Sequence, residues 1–271
     1  MLLRVITAGV LLPVLWTTIK IAPPSVFSVL ALAFIGVACW ECYRLVARDG
    51  GHPFTALGVV AGLAVVWSFL GVEPSYGPEL PVVWLTMITL VAAMRKGSSP
   101  KQMLETALAT VFPVLFVGLS LAFLVGLRGM PGNDGEDLLM LLFTCVIFAD
   151  TAAFYVGTAF GKSAMAPVIS PNKSWEGAAA GVAASVLGAL VAHFWFYQRL
   201  PVFHALLLGG VLGVAAILGD LAESMLKRSA GSKDSSHLLP GHGGVLDRMD
   251  SLLFAGPLLY YYYHWFLQGV A

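Results

Sequence analysis

Charge is scarce in this sequence. Only 11% of its 271 residues are Asp, Glu, Lys or Arg, while 58% are hydrophobic and the mean hydropathy is +0.85. Soluble domains carry about 25% charged and about 45–50% apolar residues, so a water-soluble globule is excluded. Net charge is missing as well, because fifteen basic and fifteen acidic residues cancel. That leaves no bulk positive field to attract a nucleic acid. With three cysteines there is no disulfide scaffold, and the apolar mass excludes disorder. Alternating ten-residue strands, the mark of a membrane barrel, are absent too. What the sequence has in quantity is long apolar runs, which specify an all-α polytopic membrane protein.

A spanning helix needs about 20 apolar residues. Nine such segments are predicted, near 5–22, 24–43, 54–71, 80–94, 102–127, 138–160, 176–197, 201–222 and 250–268. Turn-rich or charged stretches such as Pro23-Pro24, Arg48-Asp49-Gly50-Gly51 and Lys96 to Pro100 separate them. Pro113 lies inside the overlong fifth segment and predicts a kink or tilt there. With a cytoplasmic N-terminus, twelve Lys and Arg residues fall inside and only Lys20, Arg128 and Arg199 outside. The outer loops are acidic instead, with Glu73, Glu79, Asp134, Glu136 and Asp137. The first segment reads as an uncleaved helix, since Ile21-Ala22-Pro23-Pro24 makes a poor signal-peptide cleavage site. The whole of 1–271 reads as one membrane domain. Residues 1–130 are spans without motifs, and 138–271 form a catalytic half with cytoplasmic loops at 161–175 and 224–249.

Several conspicuous features read as packing. Cys39 and Cys42 form a C-x-x-C inside an apolar helix, where reduced packing thiols are expected. Gly177, Gly181 and Ser185, and likewise Gly209 and Gly213, are small residues four apart that let helices approach closely, within the chain or at a dimer seam. The run Tyr260 to Trp265 reads as an aromatic belt at the outer interface. His193 and His204 read as interfacial or solvated residues.

Polarity concentrates in three places. Asp150 is embedded in an apolar helix, and there a carboxylate needs a cation, a basic partner, water or a role as a hydrogen-bonded strut. The second place is the loop from Gly161 to Gly177. It offers Asn172, Lys173 and Ser174, with Ser174 as N-cap of the next helix and Glu176 in its first turn. A helix start of this kind suits an anion, although a well-capped helix with a positive-inside lysine would look the same. The third place runs from Asp220 to Asp250. Asp220, Glu223 and Lys227 share one helical face, and Asp247 and Asp250 lie three apart where the last span begins. Carboxylates from two neighbouring helices converging without Cys or paired His suit a hard cation such as Mg2+. Lys227, Arg228, Lys233 and Arg248, beside Gly241-His242-Gly243-Gly244, add the cations and glycine turns that polyphosphate binding requires. This is no Walker A loop, because G-x-x-x-x-G-K-[ST] is absent.

At these positions the sequence resembles the phosphatidate cytidylyltransferase (CDP-diacylglycerol synthase) family. Its signature is matched by Ser224-x2-Lys227-Arg228-x4-Lys233-Asp234-x-Ser236-x2-Leu239-Pro240-x-His242-Gly243-Gly244-x2-Asp247-Arg248-x-Asp250. Asp150 to Gly157 and Ser170 to Gly177 resemble a second conserved block, with Phe154 where that family usually has Tyr. The resemblance covers roughly the C-terminal half. It implies that CTP and phosphatidate, taken from the inner leaflet of a bacterial inner membrane, become CDP-diacylglycerol and pyrophosphate. It implies one or two metal ions, Mg2+ first among them, on Asp220, Asp247 and Asp250, with Asp150 and Glu223 as reserve ligands. Lys173, Lys227, Arg228, Lys233 and Arg248 would share the phosphates. Ser224, Asn172, Ser174, His242, Gly243 and Gly244 would complete substrate binding. Homodimerisation is a family expectation. The residues alone leave open a CTP-dependent polyprenol-type lipid kinase, a CDP-synthase for ether lipids, and an ion-coupled transporter.

Overall fold

The computed structural model describes residues 13–72, 75–97, 99–238 and 243–268. Residues 13–20 of the first apolar stretch are helical. Helix α1 (Pro24–Arg48) starts with proline at its first position and ends with a basic residue in its last turn, a pairing that suits both helix termini. α2 is Thr55–Ser68 and α3 is Glu79–Lys96. α4 (Pro100–Arg128) is capped by Ser99, whose hydroxyl accepts from the Gln102 N–H at 3.3 Å. The irregularity predicted at Pro113 is present as a π turn over Val114–Leu119, so the rod continues with a widened winding. α5 is Asp134–Phe160. The segment predicted as a plain loop forms a small antiparallel hairpin, β1 (Ala164–Ala166) with β2 (Ser170–Ser174), in which Ala164 pairs with Ser174 and Ala166 with Ser170. α6 is Trp175–Trp195 and α7 is Val202–Ser229. A single turn, α8 (Leu246–Met249), precedes α9 (Leu252–Tyr262), which ends in a π turn over Tyr263–Leu267.

The elements of the described residues are helices and one two-stranded hairpin. Among the described residues five helices, α1, α4, α5, α6 and α7, are long and apolar enough to cross a membrane. α1 and α7 run past the apolar stretches that predicted them, which carries charged residues on continuous helix.

Two compact units are present. The first comprises Met1–Gly129 and Leu226–Met249. In it α1 to α4 pack together and α8 packs on α1. Cys39 and Cys42 are buried in this packing as thiols outside any disulfide, as the sequence suggested.

The second unit comprises Met130–Met225 and Asp250–Ala271, and its main seam joins α5 to α6. A Cβ at Gly177 would sit 2.8 Å from the Ala153 carbonyl oxygen, and one at Gly181 would sit 3.0 Å from that of Ala149. Gly209 and Gly213 bring α7 equally close to Val186 and Ser185 of α6. Both small-residue stripes are thus seams inside the unit.

At the far end of α5 the structure corrects two expectations. Asp134 and Asp137 are not loop charges but lie buried in the first turn of α5, where the helix dipole favours them. Arg199 bridges them at 2.9 and 3.1 Å, and the Tyr263 hydroxyl donates to Asp134 at 2.8 Å. Burial would weaken the Arg199 charge, but the hydrogen bond to Asp137 and the nearby Asp134 hold its pKa above the ordinary value. The aromatic run is accordingly two-faced: Tyr263 is buried, while Tyr261, Trp265 and Phe266 are exposed. His204 hydrogen-bonds the Tyr262 hydroxyl at 2.6 Å and His193 the Leu200 carbonyl at 2.6 Å, so both rings have protein partners.

Candidate functional site

In the second unit the site is built from the start of α6 outward. Ser174 has extended backbone (φ −117°, ψ 155°) and its hydroxyl accepts from the Gly177 N–H at 3.1 Å, the N-cap geometry that its sequence context predicted. Glu176 accepts from the N–H groups of Lys162 and Ser163, each at 3.2 Å, and so ties the start of the hairpin to the helix. With both ends fixed, β2 delivers Lys173 to α7, where its ammonium lies 2.5 Å from Asp220 Oδ2.

Asp220 and Glu223 are three apart on α7 and share a face. Asp250 joins them because α7 has glycine at 219. A Cβ there would sit 2.5 Å from the Asp250 carbonyl oxygen, so only glycine allows the backbone at residue 250 to lie this close. Asp220, Glu223 and Asp250 each offer a carboxylate oxygen within 4.8 Å of the others. Like charges at that separation repel by about 3 kcal/mol per pair at an effective dielectric of about 20. The Ser224 hydroxyl donates to Asp220 at 3.4 Å, and Lys173 brings a positive charge to the same carboxylate. A donor set made only of carboxylate oxygens fits a hard divalent cation and does not fit zinc.

A cavity of about 590 Å3 opens beside this group. Its polar wall carries Asp150, Asn172, Lys173, Ser174 and Asp220, and its apolar wall includes Phe154, Met165 and Ile217. Asp150 accepts from the Ser251 hydroxyl at 3.3 Å, while Asp250 accepts from the Ser251 N–H at 2.7 Å, so one serine steadies both carboxylates. Of the alternatives left open for Asp150, the structure shows a hydrogen-bonded carboxylate facing a cavity. Glu223 takes the place in the carboxylate triplet that the sequence reading gave to Asp247.

The first unit holds the other signature residues. Asp247 is buried and accepts from Lys227 Nζ at 2.8 Å, from the Ser235 hydroxyl at 2.9 Å and from the Gly244 N–H at 2.7 Å. Gly243, at φ +79°, makes the turn that aims this N–H inward. Lys227 and the Gly244 amide, both expected at phosphate, are thus engaged with Asp247. Arg228 donates to the Ser232 carbonyl at 3.1 Å, and Arg228, Lys233 and Arg248 are exposed. His242 lies outside the described residues.

Sequence reasoning missed Glu41. It is fully buried in α1 and accepts from the Ser235 and Ser236 hydroxyls and from the N–H groups of Val245 (3.1 Å) and Leu246 (2.7 Å). A signal was available, because an acidic residue inside an apolar spanning segment is costly and usually has a purpose. It was overlooked between the two more conspicuous cysteines.

Known proteins carry the same pattern along nearly the full length. The profile of the cytidylyltransferase family matches residues 2–266, extending the resemblance well beyond the C-terminal half. The chain is 36% identical over 264 residues to the phosphatidate cytidylyltransferase of Pseudomonas aeruginosa, covering 94% of each sequence. It is 30% identical over 267 residues to that of Bacillus subtilis, covering 95% of this chain and 96% of the relative. Against that of Mycobacterium bovis it is 32% identical over 260 residues, covering 92% and 83%. The folded helices, the carboxylate and lysine site and these matches lead to one assignment: the chain belongs to the cytidylyltransferase family.

Proposed function

We propose that this protein is a membrane-embedded phosphatidate cytidylyltransferase, converting CTP and phosphatidate into CDP-diacylglycerol and pyrophosphate. Beyond the family match, the observation that carries the reading is the meeting of Lys173 and Asp220 on a cavity wall, with Glu223 and Asp250 beside Asp220.

The chemistry asks for this kind of site. A phosphate monoester has its second pKa near ~6, so the phosphatidate oxygen is already an anionic nucleophile and needs no general base. It attacks the α-phosphorus of CTP, the bond from that phosphorus to the bridging oxygen of the β-phosphate breaks, and pyrophosphate leaves with the electron pair. The barrier is the approach of two anions, and positioned positive charge is what lowers it.

Lys173 orients a phosphate oxygen, with the Asn172 side chain next to it on the cavity wall. Asp220, Glu223 and Asp250 would hold Mg2+, with Asp150 as a further oxygen donor at the cavity. When bound, the cation supplies charge neutralisation along the triphosphate. Arg228, Lys233 and Arg248 are exposed basic residues of the first unit, and their place in the signature is what assigns them to phosphate. Phe154, Met165 and Ile217 give the headgroup cavity an apolar side suited to a lipid substrate.

Nine spans, a cytoplasmic N-terminus and an active site facing the cytoplasm of a bacterial inner membrane complete the reading. The support for this topology is the basic-residue asymmetry of twelve to three; a homodimer is what family membership alone implies.

The test uses purified full-length protein, phosphatidate, Mg2+ and CTP labelled at either the α- or the γ-phosphorus. Label from the α-position should enter lipid while γ-label leaves as pyrophosphate, and EDTA should stop both. Entry of γ-label into lipid would instead establish a kinase and overturn the reading.

A further inference from the structure

Glu41 does not line the cavity, yet it is a fully buried carboxylate with hydrogen bonds to both oxygens. A charge buried in an apolar helix is unfavourable by several kcal/mol unless hydrogen bonds replace its water. Its four donors come from two hydroxyls and two backbone amides, and all four lie between Ser235 and Leu246. None comes from its own helix. The packing is tight, since a Cβ on Gly244 would sit 2.6 Å from Glu41 Oε1.

Ser235 connects this arrangement to a second buried acid. Its one hydroxyl proton is shared between Glu41 at 3.3 Å and Asp247 at 2.9 Å, and Asp247 also accepts from Lys227 Nζ at 2.8 Å, the Gly244 N–H at 2.7 Å and the Ser235 N–H at 3.0 Å. A buried line Glu41–Ser235–Asp247–Lys227 therefore fixes the loop at both flanks of the exposed Lys233 and immediately before the exposed Arg248. A packing role alone would be met by an apolar side chain. An acceptor that takes two successive amides and two successive serines sets the backbone register of the loop.

We infer that Glu41 is a positioning residue for the nucleotide: it touches no substrate, but fixes the stretches 232–238 and 243–248, which carry Lys233 and Arg248 for a nucleotide phosphate. The inference rests on the proposed cytidylyltransferase reading for the identity of the ligand.

The test compares the parent protein with Glu41→Gln, Ser236→Ala and the double variant, all full-length in lipid vesicles. Glutamine keeps the shape but turns an N–H toward donors. The KM for CTP should rise about 10–100-fold in Glu41→Gln, as charge-assisted hydrogen bonds are lost from the positioned loop, while the KM for phosphatidate stays within about 2-fold. The double variant should add little to Glu41→Gln alone, because the Ser236 hydroxyl is one of the donors that Glu41→Gln already disturbs. Tryptic cleavage after Lys233 should accelerate by a similar factor, and this readout does not depend on turnover.

An unchanged KM for CTP with an unchanged cleavage rate overturns the inference. So does a fall in kcat alone, which would mean only that less protein is folded. Should Glu41→Gln fail to assemble, Ser236→Ala decides by the same two readouts. Should the parent lack CTP turnover, the functional reading has failed and the cleavage rate alone judges the positioning role.

Discussion

Replacing Gly219 by alanine adds one methyl group on α7 and tests how the carboxylate site is assembled. The new Cβ would start 2.5 Å from the Asp250 carbonyl oxygen, and ordinary contact begins at 3.4 Å, so the backbone at 250 must retreat by about 0.9 Å. Alanine favours helix over glycine by about 0.8–1.0 kcal/mol, which offsets part of an overpacking cost of about 1–3 kcal/mol. Stability should therefore move little, by about 0–2 kcal/mol. Geometry should suffer more, because a misplacement of about 1 Å costs about 100-fold in rate. The expected outcome is a fall in kcat of that order, a raised Mg2+ requirement and a melting temperature within a few degrees of the parent. Gly210→Ala on the same helix is the control. A Cβ there has nothing within 4 Å, and activity should be retained. Parental kcat and Mg2+ dependence in Gly219→Ala would refute the claim that Asp250 works beside Asp220 and Glu223.

Lys173→Met should lower kcat by about 100–1000-fold, the scale for losing one positioned electrostatic donor, with Lys173→Arg recovering only part; steady-state assays with both substrates varied would show it. Arg199→Ala leaves Asp134 and Asp137 without their cation and should destabilise the protein by about 1–3 kcal/mol, seen as a lower melting temperature at an unchanged KM for CTP. Cys39, Cys42 and Cys145 are buried and in no disulfide. None should react with a membrane-permeant maleimide until the protein is denatured, and rapid native labelling of Cys39 would contradict its packing role.

Local chemistry was legible in the sequence where one helix or turn decided it. Ser174 followed by Glu176 announced the start of α6, and Pro113 announced the irregularity in α4. The three-residue spacing of Asp220 and Glu223 placed both on one face. Relations that depend on a distant segment were not legible. Gly219 read as one more glycine in an apolar run, because its meaning lies in the carbonyl of residue 250. Asp247 and Asp250 looked equivalent at a spacing of three, yet the first accepts from Lys227, Ser235 and Gly244 while the second joins Asp220. Asp134 and Asp137 read as loop charges because nothing nearby in sequence revealed Arg199, which arrives from the turn after α6. Glu41 escaped for the same reason, since all its partners lie far along the chain.

That separation has a consequence for biosynthesis. Ser236 follows Glu41 by 195 residues, which at about 5–20 residues per second of translation is a delay of roughly 10–40 s. Throughout that interval the acid of α1 has been made and the serines and amides that will receive it have not. The N-terminal helices must therefore either be kept from closing around a lone carboxylate or bring water along with it until residues 235–246 have been made. A segment synthesised well after α1 completes the interior around it.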